Sequence, residues 1–457
     1  MIAEFLPLGM FAVLLVFLLT GYPVAFALAG TGLLFIVIGS DWLPSLGVAL
    51  PWEPSFRLAR LNILPQRLYS SVMDNYTLVA VPFFIFMGTM LERSGLAEDL
   101  LQTMGRLFGR LRGGLAISVV LVGMLLAAAT GVVGASVVTM GVLALPVMLK
   151  YGYDTRLATG TIAASGTLGQ IIPPSIVLII LGDQMGVNVG DLFLGAMGPG
   201  ILLGIAYMVW VSLVAWRRPL AAPALPPGAE DVGTTGPLLG AVVRCLLPPL
   251  GLVAAVLGTI FFGIATPTEA GAMGALGATL LALAYGKLNM TNLMAVAETT
   301  VRLTAMVFTI LVGATVFATV FSAMGGKWLV EDFLMALPGE TAGFVLFVML
   351  TIFLLGFFLD FIEITFIVVP LVAPMASAFG LDPIWFGVLI AMNLQASFLT
   401  PPFGFSLFYL RGVTPPAIPT GAIYRGIVPY IIIQLLMLGL IIAVPEIVTW
   451  LPSLSAN

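Results

Sequence analysis

Apolar runs occupy most of the 457-residue chain, and short polar stretches punctuate them. The runs fall at roughly 5–20, 22–39, 77–92, 114–149, 157–182, 193–216, 245–263, 267–286, 301–322, 341–376, 384–410 and 428–450. A helix rises 1.5 Å per residue and the hydrocarbon layer is about 30 Å thick, so about 20 apolar residues cross it. The pattern predicts an all-α polytopic membrane protein with about a dozen apolar segments. Two runs, 114–149 and 341–376, are too long for a single crossing. Each also has a centre that does not suit lipid: Thr130-Gly131-Val132-Val133-Gly134-Ala135-Ser136 in the first, Asp360-Phe361-Ile362-Glu363-Ile364-Thr365 in the second. Both features predict a re-entrant hairpin whose tip is buried in protein or lines a wet cavity. The runs 157–182 and 384–410 each contain a Pro-Pro pair, Pro173-Pro174 and Pro401-Pro402. Proline lacks the backbone N–H and clashes with the preceding turn, so each run predicts a broken transmembrane helix.

Two polar stretches stand out. Residues 41–76 hold Pro44, Pro51, Pro54 and Pro65 with Arg57, Arg60 and Arg67, and part of the stretch is expected to lie as an amphipathic interfacial helix. Residues 217–243 resemble a linker at the middle of the chain. The halves on either side repeat. Pro146, Gly152, Asp154, Pro173 and Pro174 recur as Pro374, Gly380, Asp382, Pro401 and Pro402, all at an offset of 228. The expected organisation is a first repeat over 1–216 with scaffold helices in 1–92, a cytoplasmic linker over 217–243, and a second repeat over 244–457. With the N-terminus outside and each hairpin returning to its own side, only Arg57, Arg60, Arg67 and Lys327 among the 17 basic residues fall outside. That layout satisfies the positive-inside rule and inverts the two halves in the membrane.

Composition then removes other classes. With 60% hydrophobic and 8% charged residues, the chain cannot build the water-facing surface of a soluble domain. It has no histidine and one cysteine, Cys245, which excludes His-based catalysis, His or thiolate metal clusters and an intrachain disulfide. No GxxxxGK[ST] phosphate loop is present, and a net charge of −4 argues against nucleic acid. The N-terminus carries Glu4 and no basic region, so it reads as the start of a retained span.

The candidate chemistry lies at the breaks and tips. Carbonyls freed at Pro173, Pro174, Pro401 and Pro402, with nearby Ser, Thr and Asn oxygens, are hard neutral ligands suited to Na⁺. The N-terminus of each second half-helix carries partial positive charge and can face an anion. Thr130, Ser136, Gln170, Ser175, Thr365 and Gln395 are the polar side chains there expected to meet a substrate. Asp360 and Glu363 are acids inside an apolar run, a functional position by default. Ion binding and proton coupling both remain open for them. Glu269, in Ala265-Thr266-Pro267-Thr268-Glu269, is expected to support a helix start.

At these residues the chain resembles the large membrane (DctM-type) subunit of tripartite ATP-independent periplasmic (TRAP) transporters. The matching stretches are Pro146-Val147-Met148-Leu149-Lys150-Tyr151-Gly152-Tyr153-Asp154, Gly166-Thr167-Leu168-Gly169 with Ile171-Ile172-Pro173-Pro174-Ser175, Ala265-Thr266-Pro267-Thr268-Glu269, Phe358-Leu359-Asp360, Gly380-Leu381-Asp382-Pro383 and Leu399-Thr400-Pro401-Pro402-Phe403-Gly404. The resemblance implies a Na⁺-driven symporter of elevator type, with no cofactor beyond Na⁺ as coupling ion, in the bacterial inner membrane with a periplasmic N-terminus. It implies two partners on other polypeptides, a small four-helix membrane subunit and a periplasmic protein that delivers an organic acid. It places two Na⁺ sites, one at Gly134, Ala135 and Ser136 with Ser165, Gly166 and Thr167, the other at Asp360 and Glu363 with Asn393, Ser397 and Thr400. Ala135 stands where the family commonly has serine. A stand-alone Na⁺- or H⁺-coupled carboxylate symporter is the alternative, and an enzyme is not expected.

Overall fold

Helix ends in this chain fall where glycines, prolines and capping side chains put them. The computed structural model describes residues 6–45, 62–131, 133–226, 238–402 and 404–455, and no strand occurs among them. In the first half the helices are α1 (Leu6–Leu19), α2 (Val24–Val37), α3 (Leu43–Ser45), α4 (Leu64–Leu68), α5 (Ala80–Arg93), α6 (Leu96–Phe108), α7 (Gly114–Thr130), α8 (Val133–Lys150), α9 (Thr155–Thr167), α10 (Ile176–Met185) and α11 (Val189–Arg217). In the second they are α12 (Leu238–Phe261), α13 (Pro267–Ala284), α14 (Met290–Ala323), α15 (Gly326–Met335), α16 (Glu340–Leu355), α17 (Phe361–Ile367), α18 (Val369–Ala378), α19 (Pro383–Leu399), α20 (Phe405–Val413), α21 (Thr420–Ala443) and α22 (Glu446–Ser455).

Among the described residues, six continuous helices are long and apolar enough to cross a membrane: Val24–Ser45, α8, α11, Gly240–Phe261, α14 and α21. The protein is therefore an all-α, multi-pass membrane protein, but several of its dozen apolar runs are not simple crossings. The rest resolve into shorter apolar helices, including α7, α10, α16 and α19, because glycines and Pro-Pro pairs interrupt them. The second hairpin has an extra break. Its returning leg bends by 56° between α17 and α18, where Pro370 removes a backbone donor.

Two expectations for the polar stretches change. Much of 41–76 lies outside the described residues, as do residues 227–237. What is described of the first stretch includes the short α4, whose Arg67 Nη1 donates to Thr319 Oγ1 on α14 at 3.2 Å. The linker is shorter than 217–243. The helix α12 already starts at Leu238 and continues to Phe261 with Pro248 and Pro249 inside it. Its beginning is also pinned: Ala221 O accepts from Asp154 N at 2.9 Å and Ala222 O from Gly113 N at 2.9 Å. Glu269 behaves as expected. It forms a capping box with Thr266, whose N–H donates to Glu269 Oε2 at 2.8 Å, while Glu269 N donates to Thr266 Oγ1 at 3.3 Å.

In lipid the hydrophobic effect between helices is weak, so close backbone approach and buried polar pairs hold the bundle. A β-carbon built on Gly160 of α9 would lie 2.2 Å from Gly426 O of α21. Beside this crossing the hydroxyls of Thr161 and Tyr430 are 2.6 Å apart, and Gln434 Nε2 donates to Tyr207 OH at 2.8 Å. On the other side of the molecule, a β-carbon on Gly313 of α14 would lie 2.4 Å from Ala25 O of α2. The packing partners exchange between the halves: α9 packs on α21 and α19 on α11, α8 on α20 and α18 on α10, α2 on α14 and α13 on α5.

Gly160→Val should therefore destabilise the fold by about 1–3 kcal/mol through overpacking. Thermal unfolding in detergent is expected to show a midpoint several degrees lower. Gly251→Ala, where nothing lies within 4 Å of the new β-carbon, should leave the midpoint unchanged. Equal midpoints for both variants would mean that the α9–α21 crossing is not held by backbone proximity.

Candidate functional site

The first break follows from its sequence. α9 tightens into a short 3₁₀ turn at Leu168–Gln170, and residues 171–175 then run without regular structure past the cis Pro173-Pro174 bond. Helical bonding resumes in α10. One freed carbonyl is capped locally, since Ser175 Oγ donates to Gln170 O at 2.7 Å. The first hairpin rests on this break. Gly131 turns the chain with φ of +60°, and a β-carbon there would lie 3.4 Å from Pro174 O and 3.3 Å from Ile176 Cγ1. Just beyond, a β-carbon on Gly166 would lie 2.3 Å from Val137 Cγ2. Gly134, Ala135 and Ser136, in the first turn of α8, therefore neighbour Ser165, Gly166 and Thr167 at the end of α9. Ser136, Ser165 and Thr167 are buried; Ser165 Oγ donates to Thr161 O at 2.6 Å and Thr167 Oγ1 to Ala164 O at 2.8 Å. As donors to backbone carbonyls, the hydroxyls of Ser165 and Thr167 keep acceptor capacity, and that of Thr167 takes the Gln395 amide. The Thr130 side chain lies outside the described atoms.

The second break has the same build with different side chains. α19 ends at Leu399, the cis Pro401-Pro402 bond follows, and α20 restarts at Phe405. Ser397 Oγ donates to Leu394 O at 2.8 Å, Thr400 Oγ1 to Ala396 O at 2.7 Å, and Asn393 Nδ2 to Met349 O of α16 at 2.7 Å. A β-carbon on Gly356 would lie 2.1 Å from Ser397 Oγ. It is thus Gly356, at the end of the outgoing leg, that lies on the break. Asp360 and Glu363 have a structural role in the second hairpin. They start α17, which packs on α10 and α14, and they cap it reciprocally: Asp360 N donates to Glu363 Oε2 at 3.1 Å and Phe361 N to Asp360 Oδ1 at 2.6 Å. This arrangement repeats the Thr266–Glu269 box, and the Asp-x-x-Glu spacing was the signal for it. Thr365 is buried and donates to Phe361 O at 2.7 Å within the same helix.

The two breaks meet at one polar centre. Gln395 Nε2 donates to Thr167 Oγ1 at 3.4 Å, and these two residues are separated by the repeat offset of 228. Gln170 lies one turn beyond Thr167, fully buried, and neither its amide nitrogen nor its oxygen has a partner within the protein; Gln395 Oε1 has none either. Two features of this region escaped the sequence reading: Gly356, and Tyr409 of α20. The Tyr409 ring lies 3.1 Å from where a β-carbon on Gly134 would stand, so it covers the first hairpin tip. Neither break contains a charged side chain over 164–176 or 393–410, and no cluster of three Cys, Asp or Glu occurs among the described residues. Neutral oxygens and backbone dipoles are what the centre offers a ligand.

Residues 11–447 match the family described as the tripartite ATP-independent periplasmic transporter, DctM component. The chain belongs to this family. As a DctM component it is similar to the C4-dicarboxylate TRAP transporter large permease protein of Pseudomonas aeruginosa, 33% identical over 83% of this chain and 87% of that one. It is also similar to the sialic acid TRAP transporter large permease protein of Vibrio cholerae, 29% identical over 96% of each. Its fold resembles the YdaH transporter of Alcanivorax borkumensis, with a TM-score of 0.60 and 16% identity over 83% of this chain and 87% of that one.

An unpartnered buried amide costs about 1–3 kcal/mol relative to an apolar group of the same shape. Gln170→Leu in this TRAP permease is therefore expected to keep or raise the thermal midpoint while abolishing transport. A fall in midpoint equal to that of a core cavity variant would show that Gln170 is a structural residue.

Proposed function

We propose that this TRAP permease subunit imports a small organic acid by Na⁺ symport, with the ions and the acid bound at the two helix breaks. The observation that carries this reading is the buried polar centre where the breaks meet: neither atom of the Gln170 amide has a partner within the protein, and Gln395, whose Nε2 donates to Thr167 Oγ1, has none for its Oε1. A group left without partners at membrane depth is retained at a cost when a ligand uses it. Thr167 with the Gly134, Ala135, Ser136 and Ser165 region supplies neutral oxygens for one Na⁺. Ser397, Thr400 and Asn393, beside Gly356, supply them for the other. The capping of α17 gives Asp360 and Glu363 the work of shaping the second tip, and favours Na⁺ over a proton relay through them. The substrate carboxylate would be held by backbone N–H groups, by the N-termini of α10 and α20, and by Gln170 and Gln395. With no basic side chain at the breaks, bound Na⁺ is the only full positive charge available to the acid, so ion and acid binding are coupled.

Exchange of packing partners between the halves supports an inverted pair of repeats that rocks or slides as an elevator. Family membership supports a small membrane subunit and a periplasmic binding protein as partners, and an inner-membrane location. The distribution of basic residues supports a periplasmic N-terminus. The words "dicarboxylate" and "sialic acid" in the relatives' names support an organic acid as the cargo.

Uptake into proteoliposomes, with the partner subunit and binding protein present, should require an inward Na⁺ gradient. Thr167→Ala and Thr400→Ala are each expected to raise the Na⁺ concentration for half-maximal uptake severalfold. Uptake that persists without Na⁺ and follows a pH gradient instead would transfer the coupling to protons.

A further inference from the structure

A second cavity, of about 290 Å³, lies away from the helix breaks, between α6, the start of α7 and the end of α8. Its depth is aliphatic: Leu101, Val119, Leu143 and Val147 line it. Its rim is polar, with Arg106 from α6, Lys150 from the end of α8, and Glu98. For scale, an engineered apolar cavity of about 150 Å³ takes a benzene molecule. This cavity has room for a stretch of alkyl chain.

We propose that this cleft is a binding site for an anionic phospholipid, with one acyl chain along the aliphatic wall and the phosphate between Arg106 and Lys150. Three features select that occupant. The cleft stands at the ends of both hairpin legs, where α7 begins at Gly114 and α8 stops at Lys150, so its rim is at the depth of the headgroups. Exposed Leu107, Val142 and Val147 beside it face outward from the bundle, which opens the aliphatic part to lipid. The charge at the rim is biased to phosphate. Glu98 Oε1 accepts from Gln102 Nε2 at 3.3 Å along its own helix, and Lys150 lies over the Tyr151 ring at 5.7 Å from its centroid, which holds the ammonium at the mouth. Arg110 and Arg112 follow on the same strand of chain. Basic pockets between membrane helices recognise anionic headgroups in this way. The assignment to the cytoplasmic leaflet rests on the orientation proposed above; the site itself does not. Because α6 connects α5 to the first hairpin, a lipid seated there contacts both the connector and the element that rests on the first helix break.

The test uses the membrane complex with its small subunit, in nanodiscs of phosphatidylcholine with a graded fraction of phosphatidylglycerol, followed by native mass spectrometry. Wild type is expected to retain one phosphatidylglycerol per large subunit in preference to phosphatidylcholine. Retention should fall at least fivefold in Arg106→Gln/Lys150→Gln, which removes the rim charge, and in Leu143→Trp, which fills the cleft. The thermal midpoint in pure phosphatidylcholine reports whether each variant is folded, and the rim variant leaves the aliphatic wall intact. Equal retention of the two lipids by wild type, or unchanged phosphatidylglycerol retention in both folded variants, overturns the site.

Discussion

Every backbone N–H and C=O in the hydrocarbon layer must find a partner inside the protein, and this constraint organises the whole molecule. A Pro-Pro pair inside an apolar run strains it by removing donors. The helix runs on through Pro248-Pro249 in α12, but it ends at Pro173-Pro174 and at Pro401-Pro402, where other elements wrap the break. At the first break the hairpin turn at Gly131 sits against Pro174 O, Gly166 lets Val137 approach, and Ser175 caps the carbonyl of Gln170. At the second, Gly356 admits Ser397, and Tyr424 OH reaches Pro402 O at 3.1 Å. The hairpins are thus required by the breaks, and each is short enough to end beside one.

Glycine does in this packing what large side chains do in a soluble core. At Gly160, Gly166, Gly313 and Gly356 the neighbouring chain lies where a β-carbon would stand. Such contacts set helix positions without contributing much hydrophobic stabilisation, because lipid tails are as apolar as the residues they would replace. The buried hydrogen bonds of Thr161 with Tyr430 and of Gln434 with Tyr207 add direction to them. The helix α9 carries both kinds of contact, the Gly160–Thr161 crossing on α21 and, at its end, the polar residues of the first break.

Much of this was legible in the sequence for physical reasons. Apolar length, Pro-Pro pairs and glycine-rich centres each have few structural solutions in a membrane, so the helix breaks at Gly131, Pro173-Pro174 and Pro401-Pro402 could be placed from them. The capping role of Glu269 was readable from Thr-x-x-Glu. The same spacing at Asp360-x-x-Glu363 signals the cap that forms there, which the rarity of acids in apolar runs masked. What sequence could not supply was contact between distant elements. Nothing in the chain near Tyr409 or Gly356 announces that one covers a hairpin tip and the other lies on Ser397. The bend between α17 and α18 was obscured because Pro370 sits near a helix start, a position where proline is ordinarily harmless.

The contact of Thr167 with Gln395 gives the repeat its mechanistic weight. Residues that occupy equivalent positions in two related halves can touch only near the axis that relates them. The polar centre therefore lies where the halves meet, and a ligand there is read by both. Yet the side chains at equivalent positions differ. Gln170 corresponds to Phe398, Gly169 to Ser397, Ser165 to Asn393, and Ala135 to Glu363. The backbone plan is shared while the side chains are not: both halves present hydroxyls and an amide at their breaks, but only the second has an acid-capped helix start at its hairpin.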